Sequence, residues 1–194
     1  MRLILASQSP DRLELLRTAG YDVLVMPADL AEPDPASFSD FDAGLMHIAI
    51  MKARAVRARG AEGLILAADT VGVVAGEIFG KPRDRADARR MLSAMSNTVH
   101  EVCTGWCLMR TRDQLHWTGC EHTSIAMRAW TDDELQWYLD GGEWQGKSGA
   151  YGLQLPHDPF VTRIDGSLSN VIGIPLERLA TVLREIEQAG GVPG

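Results

Sequence analysis

The sequence predicts a mixed α/β fold (α/β or α+β, with a mixed sheet) in one chain of 194 residues. Short apolar runs of strand length, such as residues 3–5 and 64–68, alternate with segments whose apolar residues recur at helical spacing. Turn and capping residues separate these segments, and the sequence shows no internal repeat or linker. We therefore expect residues 1–194 to form a single domain of one body or two small lobes.

The first strand is followed by a well-marked helix start. Residues 3–5 are continuously apolar, and the polar segment after them ends in Ser9 and Pro10. Serine is a preferred N-cap, and proline suits the first helical position because its missing N–H would have no partner there. These residues predict a helix over 11–19, which Gly20 ends.

The next elements place a lysine and an aspartate near the middle of the chain. Residues 27–39 are rich in Pro, Asp, Ala and Ser, which predicts a loop, and 41–59 has the pattern of a long helix that carries Lys52. Residues 64–68 resemble a fully buried strand that ends at Asp69 and Thr70. Further predicted elements are a strand pair over 71–79, a helix over 84–95, paired strands over 98–110 and 115–128, a capping-box helix over 131–139, a strand over 160–164 and a last helix over 175–189.

Composition restricts the class of partner. Hydrophobic residues make up 45% and charged residues 23% of the chain, as in ordinary soluble domains. The net charge of −7 argues against polymeric nucleic acid and anionic membranes as partners, so an anionic substrate needs a local cationic site. No apolar run approaches the length of about 20 residues that spans a bilayer, and the N-terminus lacks a signal-peptide core. These features predict a cytoplasmic protein.

One segment matches the sequence pattern of a phosphate-binding motif but not its predicted secondary structure. Gly141, Gly146, Lys147 and Ser148 satisfy the P-loop pattern, but a P-loop connects a strand to a helix, whereas here a predicted helix precedes the glycines. We therefore interpret the segment as a turn after a helix. The cysteines Cys103, Cys107 and Cys120 show no zinc-ligand spacing and are interpreted as buried or half-buried thiols.

Two other segments have the chemistry of a site. Ser7, Ser9 and the N-terminus of the first predicted helix converge near Arg12, an arrangement that binds anions, although Ser9 also has a purely structural explanation as a cap. Asp69 and Thr70 lie at the carboxyl end of a predicted strand, where α/β sheets bind ligands, although an aspartate there is also an ordinary turn residue. Glu32, Lys52 and Lys81 resemble ordinary surface residues when each is considered alone.

Taken together, these residues resemble a known family. The resemblance covers nearly the whole chain and is to the Maf family of nucleoside triphosphate pyrophosphatases. It rests on residues 7–12, Glu32, residues 52–53, 68–70, 80–82, 149–154 and 166–176. It implies an elongated two-lobed fold similar to that of inosine triphosphate pyrophosphatases, with a mixed sheet flanked by helices, a cleft between the lobes and commonly a homodimer.

The resemblance also implies roles for individual residues. Asp69 corresponds to the catalytic acidic residue, which acts as a base and accepts a proton from water. Glu32 and Asp69 would share Mg²⁺ or Mn²⁺. Ser7, Arg12, Lys52 and Lys81 match positions that line the triphosphate pocket. Within this resemblance, our hypothesis is that Lys52, Lys81 and Arg12 stabilise the departing pyrophosphate, while Ser7 and Ser9 supply hydroxyl groups to phosphate oxygens.

Three positions are associated with base choice in this family. Thr70 and Gln154 match the group that cleaves dTTP and UTP, whereas Asp11 matches neither known group. Asp11 either accepts hydrogen bonds from a donor edge, such as that of guanine, or simply favours the helix N-terminus as an acidic residue does. The loop over 155–159, with two prolines, also departs from the family pattern.

The leading hypothesis is metal-dependent hydrolysis of dTTP, UTP or modified nucleotides to a nucleoside monophosphate and pyrophosphate. A second hypothesis, suggested by the family's link to septum formation, is a nucleotide-binding regulator of cell division with little turnover. The combination of Glu32, Lys52, Asp69 and Lys81 favours catalysis, because a pure binding module has less need of a base beside a metal.

Overall fold

The structure is a computed structural model that describes residues 2–153 and 158–188. The strands are β1 (Arg2–Leu5), β2 (Asp22–Val25), β3 (Leu64–Val74), β4 (Glu77–Phe79), β5 (Val99–Arg110), β6 (His116–Met127) and β7 (Val161–Asp165). The α-helices are α1 (Pro10–Thr18), α2 (Phe41–Ala58), α3 (Arg85–Met95), α4 (Asp132–Gly141), α5 (Leu168–Ile172) and α6 (Leu176–Gln188). Two short 3₁₀ turns lie at Pro35–Ser37 and Ser148–Ala150.

The sheet is mixed, as the sequence predicts. In the described residues it has seven strands in the order β2-β1-β3-β5-β6-β7, with β4 paired to β3. Strand β1 runs parallel to both β2 and β3, whereas β4 is antiparallel to β3 and β7 is antiparallel to β6. The mixed α/β fold class is therefore confirmed.

Strand β3 differs from its prediction, because it continues through Asp69 and Thr70 instead of ending there. Its first residues pair in parallel with β1, from Leu64 to Leu66, and its last residues pair antiparallel with β4, from Gly72 to Val74. Hydrogen bonds from the second partner extend the strand beyond its apolar run. Asp69 therefore lies between the two pairings and not at a strand end.

Among the described residues, one strand and one α-helix have no counterpart in the elements that the sequence predicts. Strand β2 has four residues at the edge of the sheet, and Leu24 is 50% exposed, so neither length nor burial gives it a strong pattern. Helix α5 has only five residues, too few to show helical periodicity. In both cases pairing or packing against the rest of the protein determines the structure.

The chain divides into two compact units. The first contains residues 1–69, 104–121 and 172–194, and the second contains residues 70–103 and 122–171. In the first unit, alternate residues of β1 face opposite sides: Leu3 and Leu5 join a core that includes Leu179 of α6, whereas Ile4 joins a core that includes Ala53 of α2. Both faces of β1 are thus covered, which explains its continuous apolar run.

The second unit has a core of its own. Helices α3 and α4 pack there with Phe79 and Phe160, and the indole of Trp130 stacks on the Phe160 ring at a centroid distance of 3.6 Å.

Cys103 and Cys107 are buried and Cys120 is half-buried, as predicted. Among the described residues, no helix combines the length and apolar character needed to cross a bilayer.

Candidate functional site

A buried lysine joins two carboxylates in the first unit. The Nζ of Lys52 lies 2.7 Å from Oδ1 of Asp69 and 2.8 Å from Oε2 of Glu32. The Lys52 side chain is only 9% exposed and that of Asp69 15%, whereas that of Glu32 is 42% exposed. Three residues far apart in sequence therefore form one charged cluster that solvent reaches from the Glu32 side.

The alternation of side chains along β3 explains why Asp69 lies next to Lys52. Leu64, Leu66 and Ala68 face the core shared with α6, whereas Ile65 and Ala67 face the core shared with α2. The period of two puts Asp69 on the face of Ile65 and Ala67, toward the helix that carries Lys52. Glu32 comes from the loop between β2 and the first 3₁₀ turn.

An anion-binding group lies beside this cluster. Helix α1 begins at Pro10, and the hydroxyl of its N-cap Ser9 accepts a hydrogen bond from the Arg12 backbone N–H at 3.4 Å. The Arg12 Nη1 donates to the Ser7 hydroxyl at 3.2 Å and to the Ala68 carbonyl at 3.0 Å. The Ser7 hydroxyl also accepts from the Ser9 backbone N–H at 3.2 Å, so the turn between β1 and α1 is held in one conformation.

The Ala68 carbonyl connects the two groups. Lys52 Nζ lies 3.4 Å from the same oxygen that accepts from Arg12, so both cations converge on the residue before Asp69. Nothing in the sequence singles out this acceptor, because it is a main-chain atom of an alanine. Only the folded structure shows that the Ala68 carbonyl lies between the Lys52 and Arg12 side chains.

The cluster contains charges of both signs. Burial lowers the pKa of Arg12, and the nearby charges of Asp69, Glu32 and Asp11 act in the opposite direction. Asp11 lies in the first turn of α1, where a negative charge also complements the partial positive charge of the helix terminus. The site thus places two cations among three carboxylates, which suits a polyanion that arrives with a compensating cation.

The other predicted residues belong to the second unit or lie outside the described residues. The Thr70 carbonyl accepts a hydrogen bond from the Ser148 hydroxyl at 2.6 Å. Lys81 is exposed in the segment between β4 and α3. Gln154, together with residues 155–157 of the proline-containing loop, lies outside the described residues. The roles of Lys81, Thr70 and Gln154 in the site remain predictions.

The P-loop-like segment has the structure of a turn. Helix α4 ends at Gly141, and Gly142 adopts the left-handed conformation, with φ of 75°, that ends many helices. Lys147 precedes a 3₁₀ turn of three residues, of which Gly149 has non-helical dihedral angles. Because an α-helix precedes the segment and none begins at Lys147, the phosphate cradle of a P-loop cannot form here.

Comparison with solved structures identifies the class of fold. The structure of a HAM1 protein from Coxiella burnetii matches with a TM-score of 0.50 and 18% sequence identity, over 95% of this chain and 99% of that one. The fold is therefore that of the HAM1 protein. Residues 2–186 also match the family model described as "Maf-like protein". The chain belongs to this Maf-like family.

Relatives in the family carry a common description. A protein of Anaeromyxobacter dehalogenans (strain 2CP-C) is 44% identical over 94% of this chain and 93% of its own length. One from Rhodopirellula baltica is 43% identical over 96% of this chain and 82% of its own, and one from Pyrococcus horikoshii is 37% identical over 100% and 99%. All three are described as dTTP/UTP pyrophosphatases.

Proposed function

We propose that the protein hydrolyses nucleoside triphosphates between the α- and β-phosphates and releases a nucleoside monophosphate and pyrophosphate. The observation that carries this proposal is the Lys52 ammonium held between Asp69 and Glu32, beside the Arg12 guanidinium. Membership of the Maf-like family and the dTTP/UTP pyrophosphatase relatives support the same conclusion.

The cluster fits a hard divalent cation. Asp69 and Glu32 both contact one ammonium nitrogen, so their carboxylates lie close together, and solvent reaches the pair from the Glu32 side. Oxygen donors are the ligands that Mg²⁺ and Mn²⁺ prefer. Glu32 and Asp69 are the residues that would hold the ion, which when bound supplies charge neutralisation for the triphosphate.

Arg12 and the start of α1 are suited to the phosphates. The planar guanidinium offers a fork of donors that matches phosphate oxygens, and its contacts with Ser7 and the Ala68 carbonyl hold it in place. The Ser7 and Ser9 hydroxyls and the helix N-terminus add further donors and partial positive charge. From the family resemblance, Lys81 is proposed to contribute a third cation to the departing pyrophosphate, in addition to Arg12 and Lys52.

Asp69 is proposed to position the attacking water and to accept its proton. The water oxygen forms a bond to the α-phosphorus as the bond from that phosphorus to the bridging oxygen breaks, and the electron pair of the broken bond leaves with pyrophosphate. Lys52 holds Asp69 by the 2.7 Å contact and, with Arg12, stabilises the negative charge that develops on the leaving group.

For the base we propose the pyrimidines of dTTP and UTP. The dTTP/UTP pyrophosphatase relatives support this choice, as do Thr70 and Gln154 through the family resemblance. Asp11 occupies the first turn of α1, where it has a sufficient structural explanation as a helix-terminal acid.

The test measures pyrophosphate and orthophosphate separately, from a panel of ordinary and modified triphosphates, with Mg²⁺, Mn²⁺ or a chelator. We expect metal-dependent pyrophosphate release, greatest with dTTP and UTP. Asp69→Asn should lower kcat by about 10²–10⁴, the range for loss of a general base, while the exposed control Asp133→Asn should retain wild-type turnover.

Other outcomes contradict particular parts of the proposal. Near-normal turnover by folded Asp69→Asn would refute the role of Asp69. Release of orthophosphate alone would refute cleavage between the α- and β-phosphates. Tight stoichiometric binding of triphosphate without turnover would show that the protein is a nucleotide-binding regulator and not an enzyme.

A further inference from the structure

A second group of potential metal ligands lies within the second unit and shares no residue with the proposed catalytic cluster. It consists of Glu101 and Cys103 on β5 and His122 on the adjacent strand β6. One ligand atom from each side chain lies within 4.8 Å of the other two. Oxygen, sulfur and nitrogen donors thus converge from two paired strands.

The two distances from the histidine to the other ligands are close to those of a tetrahedral site. The Cys103 sulfur lies 3.3 Å from Nδ1 of His122, and the same Nδ1 lies 3.6 Å from Oε2 of Glu101. Ligand atoms about 2.0 to 2.3 Å from a tetrahedral zinc ion are about 3.4 to 3.6 Å from one another. The side chains therefore already have nearly the spacing that an ion would impose.

The sheet holds the ligands in this arrangement. Glu101 and Cys103 are two residues apart on one strand, so their side chains lie on the same face. His122 is followed by Thr123, whose buried hydroxyl accepts from the Ser167 N–H and donates to the Ser167 carbonyl, both at 3.1 Å. This pair of hydrogen bonds fixes the middle of β6 next to the histidine. The ligands lie on paired strands rather than on a loop.

We propose that Glu101, Cys103 and His122 bind a borderline-soft divalent cation of the zinc class, with a water or an external ligand at the fourth position. The thiol and the imidazole select such an ion over Mg²⁺, which prefers oxygen ligands only. The side chains of Glu101 and His122 are 54% and 39% exposed, so these two ligands face solvent. Cys103 is fully buried, so the two exposed side chains must move slightly to admit an ion to its sulfur. The site is distinct in its ligands from Glu32 and Asp69, which offer only carboxylate oxygens.

The test is a titration of the chelator-treated, full-length protein with Co²⁺, followed by absorption spectroscopy and by competition with Zn²⁺. Co²⁺ bound by Cys103 gives a near-ultraviolet thiolate charge-transfer band and the intense visible bands of four-coordination. Co²⁺ on Glu32 and Asp69 gives no thiolate band, so the two locations are spectroscopically distinct. We expect one equivalent with the thiolate band, which Zn²⁺ then removes.

Variants identify the ligands. Cys103→Ser should abolish the band, whereas Cys107→Ser, which alters another buried thiol of the same strand, should retain it. His122→Gln and Glu101→Gln change exposed side chains and leave the fold intact, and each should weaken Co²⁺ binding about tenfold or more. His116→Gln, at an exposed histidine of the same strand as His122, should leave the affinity unchanged.

Binding without a thiolate band, a band that survives Cys103→Ser, or unchanged affinity in both His122→Gln and Glu101→Gln would overturn the proposal. None of these results depends on pyrophosphatase activity, so the metal site and the proposed function succeed or fail separately.

Discussion

Replacing Gly105 with alanine tests the packing that positions Lys52. Gly105 lies on β5, and a Cβ added there would be 2.4 Å from the Leu45 carbonyl carbon and 2.6 Å from both its Cβ and its oxygen. Leu45 belongs to α2, the helix that carries Lys52. The helix backbone therefore lies directly on the strand, with no room for a methyl group.

The expected loss of stability follows from these distances. Ordinary contacts of a Cβ begin near 3.4 Å, so the helix and strand must separate by about 1 Å. The clashing atoms belong to the backbone and to a Cβ, and no rotamer change relieves them. Overpacking of this kind reduces the free energy of unfolding by about 3 kcal/mol, at the upper end of its usual range. For a chain of this size the melting temperature should fall by about 10 °C.

A graded series of glycine variants provides the controls. In Gly44→Ala the new Cβ would lie 2.8 Å from Cγ and 2.9 Å from Cβ of Phe38, so the Phe38 side chain must shift as a whole. Phe38 lies outside the helices and strands and is only half-buried, and the gain in helix propensity of about 1 kcal/mol offsets part of the strain. Gly141→Ala, at the end of α4, meets no atom within 4 Å and should be neutral or slightly stabilising. Thermal and urea unfolding, monitored by far-ultraviolet circular dichroism, rank the three variants.

The same series connects packing to activity. A displacement of α2 by about 1 Å would move Lys52 relative to Asp69, so kcat of Gly105→Ala should fall well below wild type even at temperatures where the variant is fully folded. Gly141→Ala should keep normal kcat. If Gly105→Ala melts within about 2 °C of Gly141→Ala, the close approach of α2 to β5 would be refuted.

Two further predictions concern buried charge and pH. Lys52→Met leaves the carboxylates of Glu32 and Asp69 without their ammonium. Because only Asp69 is well buried, the free energy of unfolding, measured in urea, should fall by about 2 kcal/mol. The exposed control Lys81→Met should change it by less than about 0.5 kcal/mol, and equal effects of the two variants would contradict the buried pairing. Burial lowers the pKa of His100 to about 4, below the value of about 6.5 expected in the unfolded chain. The unfolded state therefore binds the proton more readily, and stability is lost as the pH falls from 6.5 toward 4, by about 1.5 kcal/mol between pH 6.5 and 5. His100→Leu should remove this component from urea unfolding measured across that range, and an unchanged pH slope would show that His100 is not buried as a neutral ring.

The sequence predicts local features of this protein better than long-range ones. The N-cap Ser9, the capping box at Thr131 and the apolar period of α3 depend on neighbours within a few residues, so the corresponding helices begin and end close to their predicted limits. The prediction that β3 ends at Asp69 and Thr70 is wrong, because pairing with β4, a partner later in the chain, extends the strand. The sequence does not predict strand β2, because its identity depends on pairing with β1.

The sequence by itself determined the alternation of strands and helices, the caps and turns, and the presence of acids, lysines and an arginine with site chemistry. These features depend on local backbone preferences and on composition. Only the tertiary structure decided which charges meet: the alternation of β3 aims Asp69 toward α2, and the packing of α2 brings Lys52 within 2.7 Å of it. The Ala68 carbonyl and the Glu101–Cys103–His122 group emerged in the same way, because a main-chain acceptor and ligands on neighbouring strands have no spacing in sequence that marks them.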